Sequence, residues 1–144
     1  MAKTLTAANS VILITIPGLY DIPQQLQGFA TDDVFSSETV NPAETMMGVD
    51  GKLSAGWVPA EVKQTYNLQG DSDSIEIFED WYAAQQTARE LYRASGLASL
   101  TSVERKYTMR RGVLTGYSPT PSVKKVIQPR VFEITWEAVL PGVA

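Results

Sequence analysis

One segment with helical periodicity lies between stretches that alternate like β-strands, and this order constrains the fold more than any other feature. Asp71 to Ser74 supplies helix-capping residue types, and Asp73 and Glu76 have the spacing of a capping box. Apolar residues then recur every three or four positions as far as Tyr92, and Gly96 is a typical residue just beyond a helix end. The spacing predicts one helix over about 73–94, long enough to cover the face of a small sheet.

Strand-like segments come before and after this helix. Residues 11–16 form a β-branched run that predicts a strand buried on both faces. Residues 57–68 and 131–139 alternate between apolar and polar side chains, which is typical of half-buried strands. Residues 97–110 and 112–118 are interpreted as two strands around a tight turn at Arg110-Arg111-Gly112. Strands, one helix and further strands predict an α+β fold, mostly β, with an antiparallel barrel or sandwich flanked by the helix.

Residues 36–56 are rich in glycine and in turn-forming residues, which predicts a long β-hairpin arm outside the core. Asp50-Gly51 is a strong signal for the tip of this hairpin. Met46 and Met47 are adaptable apolar contact residues within the arm. Trp57 follows at its base and is a candidate interface anchor.

The composition excludes most kinds of active site. The 144 residues include no cysteine and no histidine, so disulfides, thiolate metal sites and histidine-based catalysis are excluded. Asp32-Asp33, Glu38 and Glu44 lack the fixed spacing that paired-carboxylate chemistry needs, and the glycines do not form a phosphate-binding motif. We therefore expect no enzyme, no cofactor and no metal site, although a small enzyme that uses carboxylates stays open as an alternative. The sequence also contains no apolar run long enough for a membrane span and no signal-peptide pattern, which predicts a cytoplasmic chain.

Charge is unevenly distributed along the chain. Residues 1–80 carry 12 acidic and 3 basic side chains, whereas residues 81–144 carry 4 acidic and 9 basic ones. Opposite charge on two parts of one chain favours contacts between copies of that chain. The net charge of −4 argues against binding of phosphate backbones. The basic pairs Arg105-Lys106, Arg110-Arg111 and Lys124-Lys125 nevertheless leave a nucleic-acid-binding barrel as a further alternative.

Three stretches of the sequence resemble a known family. They are Asp71–Tyr82 at the start of the predicted helix, Gly112–Pro119, and Pro129–Glu137, and the similarity extends in order from about residue 25 onward. In these stretches the chain resembles the tail tube proteins of contractile-tailed bacteriophages, which are related to the tube protein of type VI secretion.

The resemblance implies a single tail-tube domain over residues 1–144 and a structural role in the tail of a virion. Members of this family form hexameric rings that stack head to tail into a channel for genome delivery, and a long hairpin arm reaches a neighbouring subunit or ring. The implied partners are further copies of the chain, the tail sheath protein, and baseplate and tail terminator proteins. Double-stranded DNA would pass without specific binding, the chain would not insert into a membrane, and assembly would take place in the host cytoplasm. The alternative within this class is a secretion-system inner tube, or a tube initiator or terminator ring.

Strand alternation, combined with this resemblance, predicts side chains that line the channel. Glu61 and Thr65 lie opposite the apolar set of the strand at 57–68, and Glu133 and Glu137 lie opposite that of the final strand. Carboxylates and hydroxyls do not bind the phosphates of passing DNA, which suits a channel wall. The candidates for inter-ring contacts of the arm are Met46, Met47, Asp50 and Trp57.

Overall fold

The structure is a computed structural model that describes residues 10–27, 35–100 and 103–143. Within these residues the chain forms ten β-strands and one α-helix. They are β1 (Ser10–Ile16), β2 (Tyr20–Gln25), β3 (Phe35–Ser37), β4 (Ala43–Met47), β5 (Leu53–Trp57), β6 (Val62–Leu68), α1 (Ile75–Ala88), β7 (Ala94–Leu100), β8 (Arg105–Tyr117), β9 (Arg130–Trp136) and β10 (Ala138–Val143).

Eight of the strands form one antiparallel sheet in the order β2-β1-β7-β8-β9-β6-β3, and β10 pairs with β8. The long strand β8 connects the two ends of this sheet, because its first half pairs with β7 and β10 and its second half pairs with β9. Strands β4 and β5 form a separate two-stranded hairpin. The predicted α+β fold, mostly β, with an antiparallel sheet and one flanking helix, is confirmed.

Strand β1 has one buried face rather than the two that its composition predicts. Ile12, Ile14 and Ile16 are buried, whereas the residues between them are only half-buried. The β-branched run correctly predicts a strand, but only one face of that strand packs against the core.

The predicted strand over residues 57–68 is divided in two. Trp57 ends β5, and β6 begins only at Val62. Proline cannot donate to a strand ladder, and Pro59 lies in the break. From Val62 onward the predicted alternation is confirmed, since Gln64, Tyr66 and Leu68 are buried and their neighbours are half-buried.

The helix supplies aromatic side chains to the core. Phe78 stacks on Phe132 of β9, with ring centroids 4.4 Å apart and ring planes 7° apart. Trp81 is fully buried, and its indole N–H donates to the carbonyl of Tyr92 at 2.9 Å. Trp136 of β9 is fully buried as well.

Helix α1 is shorter than the predicted span of 73–94, and its ends have different causes from those expected. The N-cap residue is Ser74, whose hydroxyl makes no capping bond and accepts the backbone N–H of Gln27 at 2.7 Å. The helix ends at Ala88 because Arg89 adopts the left-handed conformation, with φ 55°, and donates its N–H to the carbonyl of Gln85. Gly96 lies within β7 instead of beyond a helix end.

The predicted turn at Arg110-Arg111-Gly112 is also wrong, because these residues lie inside β8. Arg111 has a φ of 49°, and the pairing of β8 with β7 shifts register beside it. Such a bulge bends a strand without ending it. Gly112 allows the Trp136 ring to pack directly on the bent strand, since a Cβ there would lie 2.4 Å from Trp136 Cε3.

Candidate assembly surfaces

The outer face of β6, β9 and the second half of β8 carries polar side chains that are neighbours. Thr65 lies opposite Glu133, and Lys63 lies opposite Thr135, in the register of β6 and β9. The hydroxyl of Thr115 donates to Glu133 Oε1 at 3.1 Å and shares a hydrogen bond of 2.9 Å with the hydroxyl of Thr135. These five residues are named the polar face.

The four predicted channel-lining residues do not all lie on this surface. Thr65 and Glu133 belong to the polar face, whereas Glu61 is an exposed residue just before β6 begins. Glu137 lies between β9 and β10, where its carboxylate forms an ion pair with Arg111 at 3.5 Å. Both partners of that pair are more than half exposed, so it contributes little stability. The apolar–polar alternation of the sequence continues beyond the ends of β6 and β9. For this reason it does not distinguish Glu61 and Glu137, which lie outside the strands, from Thr65 and Glu133, which lie within them.

The hairpin of β4 and β5, residues 43–57, is named the arm. Every residue in both of its strands is exposed. The tip lies where it is predicted: Gly51 has a φ of 86°, and the N–H of Gly48 donates to the carbonyl of Lys52 at 2.8 Å. The predicted bounds of 36–56 begin too early, because β3 pairs with β6 in the main sheet.

The strand register divides the arm into an apolar face and a mixed face. The apolar face carries Ala43, Thr45, Met47, Leu53, Ala55 and Trp57, and the mixed face carries Glu44, Met46, Ser54 and Gly56. Met46 and Met47, which the sequence presents as one pair, therefore point in opposite directions. Met47, Leu53 and Trp57 are between 61% and 79% exposed, so the apolar face is uncovered.

A second exposed apolar surface was not predicted from the sequence patterns. Residues 118–129, between β8 and β9, form a segment named the lobe, in which Val123 and Ile127 pair through a short antiparallel bridge. Val123, Val126 and Ile127 are each more than half exposed. The flanking prolines indicate only a break between strands, but the valines and isoleucine around Lys124-Lys125 are the signal from which this surface could have been predicted.

The described residues present no cluster of metal ligands. Within residues 10–27, 35–100 and 103–143, no three acidic side chains come close enough together to hold a metal ion. Glu38 and Glu44 are exposed, and Asp32-Asp33 lies outside the described residues. In the same part of the chain, none of the helical structure is both long enough and apolar enough to cross a membrane.

Comparison with known proteins gives a family and a fold. The sequence model of the family described as tail fiber protein gp32 matches residues 3–140. Among curated proteins, no sequence matches the chain. The solved structures below share its fold at low sequence identity.

A chain from the sheath-tube complex of PVC, an extracellular contractile injection system, has a TM-score of 0.69 at 12% identity and covers 98% of this chain and 93% of its own length. A chain from the sheath/tube terminator of PVC gives 0.70 at 12% identity, with 97% of both chains covered. A chain from the tube-terminating cap of the anti-feeding prophage gives 0.65 at 13% identity, with 100% and 94% covered. This fold therefore occurs in components of contractile injection systems. Together with the family match, this confirms the resemblance of the sequence to proteins of contractile tails.

Proposed function

The chain belongs to the tail fiber protein gp32 family, and we propose that it is a non-enzymatic structural protein whose copies build the tube of a contractile bacteriophage tail. The fold supports a tube subunit in particular, since it is shared with chains from a sheath-tube complex, a tube terminator and a tube-terminating cap. On this proposal residues 1–144 act as one tail-tube domain.

The exposed arm is the observation that carries the proposal. A two-stranded hairpin is marginally stable by itself in water, and this one exposes an apolar face along its whole length. Large exposed apolar surfaces mark places where proteins associate. Six copies in a ring, and rings stacked head to tail, would cover such surfaces through contacts between different patches of identical chains.

The polar face is proposed to line the channel of this tube. Its opposite side is the buried face of β6 and β9. Four of its five side chains are exposed or half-buried and so available to an aqueous channel, whereas Thr135 is buried. Thr65, Thr115 and Glu133 contribute hydroxyls and a carboxylate, which do not hold phosphates. They outnumber Lys63, the single cation among the five residues of this face, so duplex DNA would pass without specific binding. Glu61 and Glu137 are proposed to lie at the margins of this lining.

The partners proposed for the tube are the sheath protein, the baseplate and the tail terminator. The structural neighbours come from a sheath-tube complex, a baseplate, a terminator and a cap, which supports assembly with components of these kinds. The proposed location is the tail of the virion, after assembly in the host cytoplasm.

A tube terminator ring is the second candidate function, and one observation favours it. The match to the terminator chain has a TM-score of 0.70, as high as the 0.69 of the chain from the sheath-tube complex. A terminator would form a single ring and would not polymerise by itself. An inner tube of a secretion system would polymerise but would not conduct a genome.

Native mass spectrometry over a range of protein concentrations tests the ring. We expect a species of six chains that grows into larger multiples of six as the concentration rises. Growth that stops at six chains would support the terminator, and a monomer at every concentration would reject both candidates.

Infectivity of a virion that carries Glu133→Lys tests the channel lining. We expect tubes that assemble normally but deliver the genome more slowly, because a lysine in the wall attracts the phosphates of DNA. Glu90→Lys is the matched control, since Glu90 is exposed beyond the end of α1 and away from the polar face. Equal delivery by the two assembled variants would place Glu133 outside the channel.

A further inference from the structure

The apolar face of the arm is not covered by any residue that the structure describes. Among the described strands, β4 and β5 pair only with each other. Met47, Leu53 and Trp57 are largely exposed on the apolar face. This face is therefore available to a second copy of the chain.

The lobe is a surface of matching character. Val123, Val126 and Ile127 are between 54% and 72% exposed. Beside them, a cavity of about 470 Å³ opens between the lobe and the loop that precedes α1. Its lining consists of Gln69, Gly70, Asp71, Val126, Ile127 and Pro129. An apolar side chain of a partner would find both a flat apolar contact and a recess here.

The base of the lobe is held in a fixed shape by its own contacts. The N–H of Gln128 donates to the carbonyl of Ser122 at 2.9 Å, and closes the small hairpin. Ile127 packs against Gly70 so closely that a Cβ on Gly70 would lie 2.5 Å from Ile127 Cγ2. A surface that is ordered before binding loses less entropy when a partner docks.

Arg130 fixes the root of the lobe to the helix. Its guanidinium is 5% exposed and donates to the carboxylate of Glu79 at 3.1 Å and to the carbonyl of Ser118, the first residue of the lobe. It also lies over the rings of Phe132 and Tyr117, at 5.2 and 5.7 Å from their centroids. Through these contacts the buried Arg130 side chain attaches the exposed lobe to helix α1 and to the core.

The charges of the two surfaces are complementary. Lys124 and Lys125 are exposed at the tip of the lobe and form no ion pair with any residue that the structure describes. The arm carries Glu44 and Asp50 against the single cation Lys52. Opposite charges steer two surfaces together and fix their orientation.

We propose that the lobe is the docking surface for the arm of a second copy of the chain. The apolar face of the arm covers Val123, Val126 and Ile127, and Asp50 at the tip of the arm lies near the two lysines. The inference rests on the proposed function, which requires contacts between copies. It adds which surface of the neighbouring copy the arm binds. Since arm and lobe are different patches, their contact is of the heterologous kind that builds rings and filaments.

Engineered cysteines test the contact directly, because the chain has no cysteine of its own. In the assembled full-length protein, Leu53→Cys combined with Val126→Cys should give disulfide-linked multimers under mild oxidation. The matched control combines Met46→Cys with Val126→Cys, since Met46 is as exposed as Leu53 but points to the opposite face of the arm. We expect linkage in the Leu53 pair to be at least several-fold faster than in the Met46 pair, and to extend beyond dimers.

Charge reversal gives a second readout on the same assembly. Lys124→Glu with Lys125→Glu should weaken assembly, and Asp50→Lys on the same chain should restore it. Tubes that form without preferential linkage of the Leu53 pair, or a reversal that the arm substitution does not rescue, would overturn the arm–lobe contact and leave the proposed function standing. A chain that forms neither rings nor tubes in any variant, the unmodified chain included, would reject both.

Discussion

The hydroxyl of Tyr66 joins two other buried side chains at the centre of the core. It donates to Gln64 Oε1 at 2.5 Å and accepts the indole N–H of Trp136 at 3.3 Å. Gln64 is the polar exception on an otherwise apolar strand face, and this network gives its amide oxygen a partner. The Tyr66 side chain therefore supplies hydrogen bonds to buried polar groups of the core as well as packing within it.

Tyr66→Phe should lower the free energy of unfolding by about 1–3 kcal/mol, because it leaves buried polar groups of Gln64 and Trp136 without that partner while the ring is kept. Urea unfolding followed by tryptophan fluorescence measures this change. Tyr82→Phe is the control, since the Tyr82 ring stacks on Tyr117 at 4.3 Å and keeps that contact without its hydroxyl. Equal stability of the Tyr66 variant and the control would show that the network contributes nothing.

Two tyrosines make the protein sensitive to alkali. Burial, followed by the hydrogen bond to Asp80 and the charge of that carboxylate, raises the pKa of Tyr20 to about 12. Burial also raises the pKa of Tyr66. The folded protein keeps both phenols neutral above pH ~10, where the phenols of the unfolded chain ionise, so proton loss favours unfolding there. The stabilising contribution is present below pH ~10 and is lost as the pH rises towards the raised values.

We therefore expect the free energy of unfolding to fall as the pH rises from about 10 to about 12. The variant with Tyr20→Phe and Tyr66→Phe should show a smaller decrease over the same range, whatever its stability at neutral pH. Denaturant titrations at several pH values measure both slopes. An unchanged slope in the double variant would assign the alkaline sensitivity to other groups.

At the scale of elements, the bend in β8 lets the Trp136 ring pack closely against this strand. Arg111 takes the left-handed conformation, and Gly112 beside it leaves room for the Trp136 ring. Strand β8 can thus pair with β7 and β10 through one half and with β9 through the other. Alternation along β6 and β9 places the polar face and the buried aromatic face on opposite sides of the sheet.

Gly112→Ala should cost about 1–3 kcal/mol of stability, because its methyl group would overlap the Trp136 ring and force the corner to shift. Gly56→Ala is the control, since no atom lies within 4 Å of the Cβ that it would add. Thermal unfolding of both variants measures the difference. A Gly112 variant as stable as the control would mean that the corner accommodates the methyl group freely.

The arm should be ordered by assembly rather than by the subunit. Among the described strands, β4 and β5 pair only with each other, and all of their residues are exposed. The amides of the arm should therefore exchange rapidly in the free subunit and slowly in the assembly. Hydrogen exchange with mass spectrometry, read on peptides from residues 43–57 and from β6, measures this, with β6 as the internal standard. Strong and equal protection of the arm in both states would contradict the expectation.

The elements also show how far the sequence alone leads. The helix, the arm and its Asp50-Gly51 tip, and the alternation of β6 and β9 follow from local periodicity and turn chemistry. The helix end does not, because Arg89 takes a left-handed conformation that sequence favours for glycine, and Arg110-Arg111-Gly112 has a turn-like composition inside a continuous strand. Of the surface, Thr65 and Glu133 could be assigned from alternation, whereas the lobe and the buried Arg130 depend on contacts between distant segments.

At the scale of the whole molecule, the arm and the lobe are complementary in charge and are both apolar. The arm is apolar and acidic, the lobe is apolar and basic, and the polar face lies on a sheet whose other side is filled. We expect copies of the chain to cover these surfaces by contacting one another, since heterologous contacts between copies propagate into rings and filaments. The unequal distribution of charge along the sequence is the first sign of this organisation.

Electron microscopy of the purified, concentrated full-length protein tests this account most directly. The account predicts hollow tubes of stacked six-membered rings, with the polar face towards the channel and the arm of each chain on a neighbouring copy. Particles that remain single chains under every condition that favours assembly would contradict it.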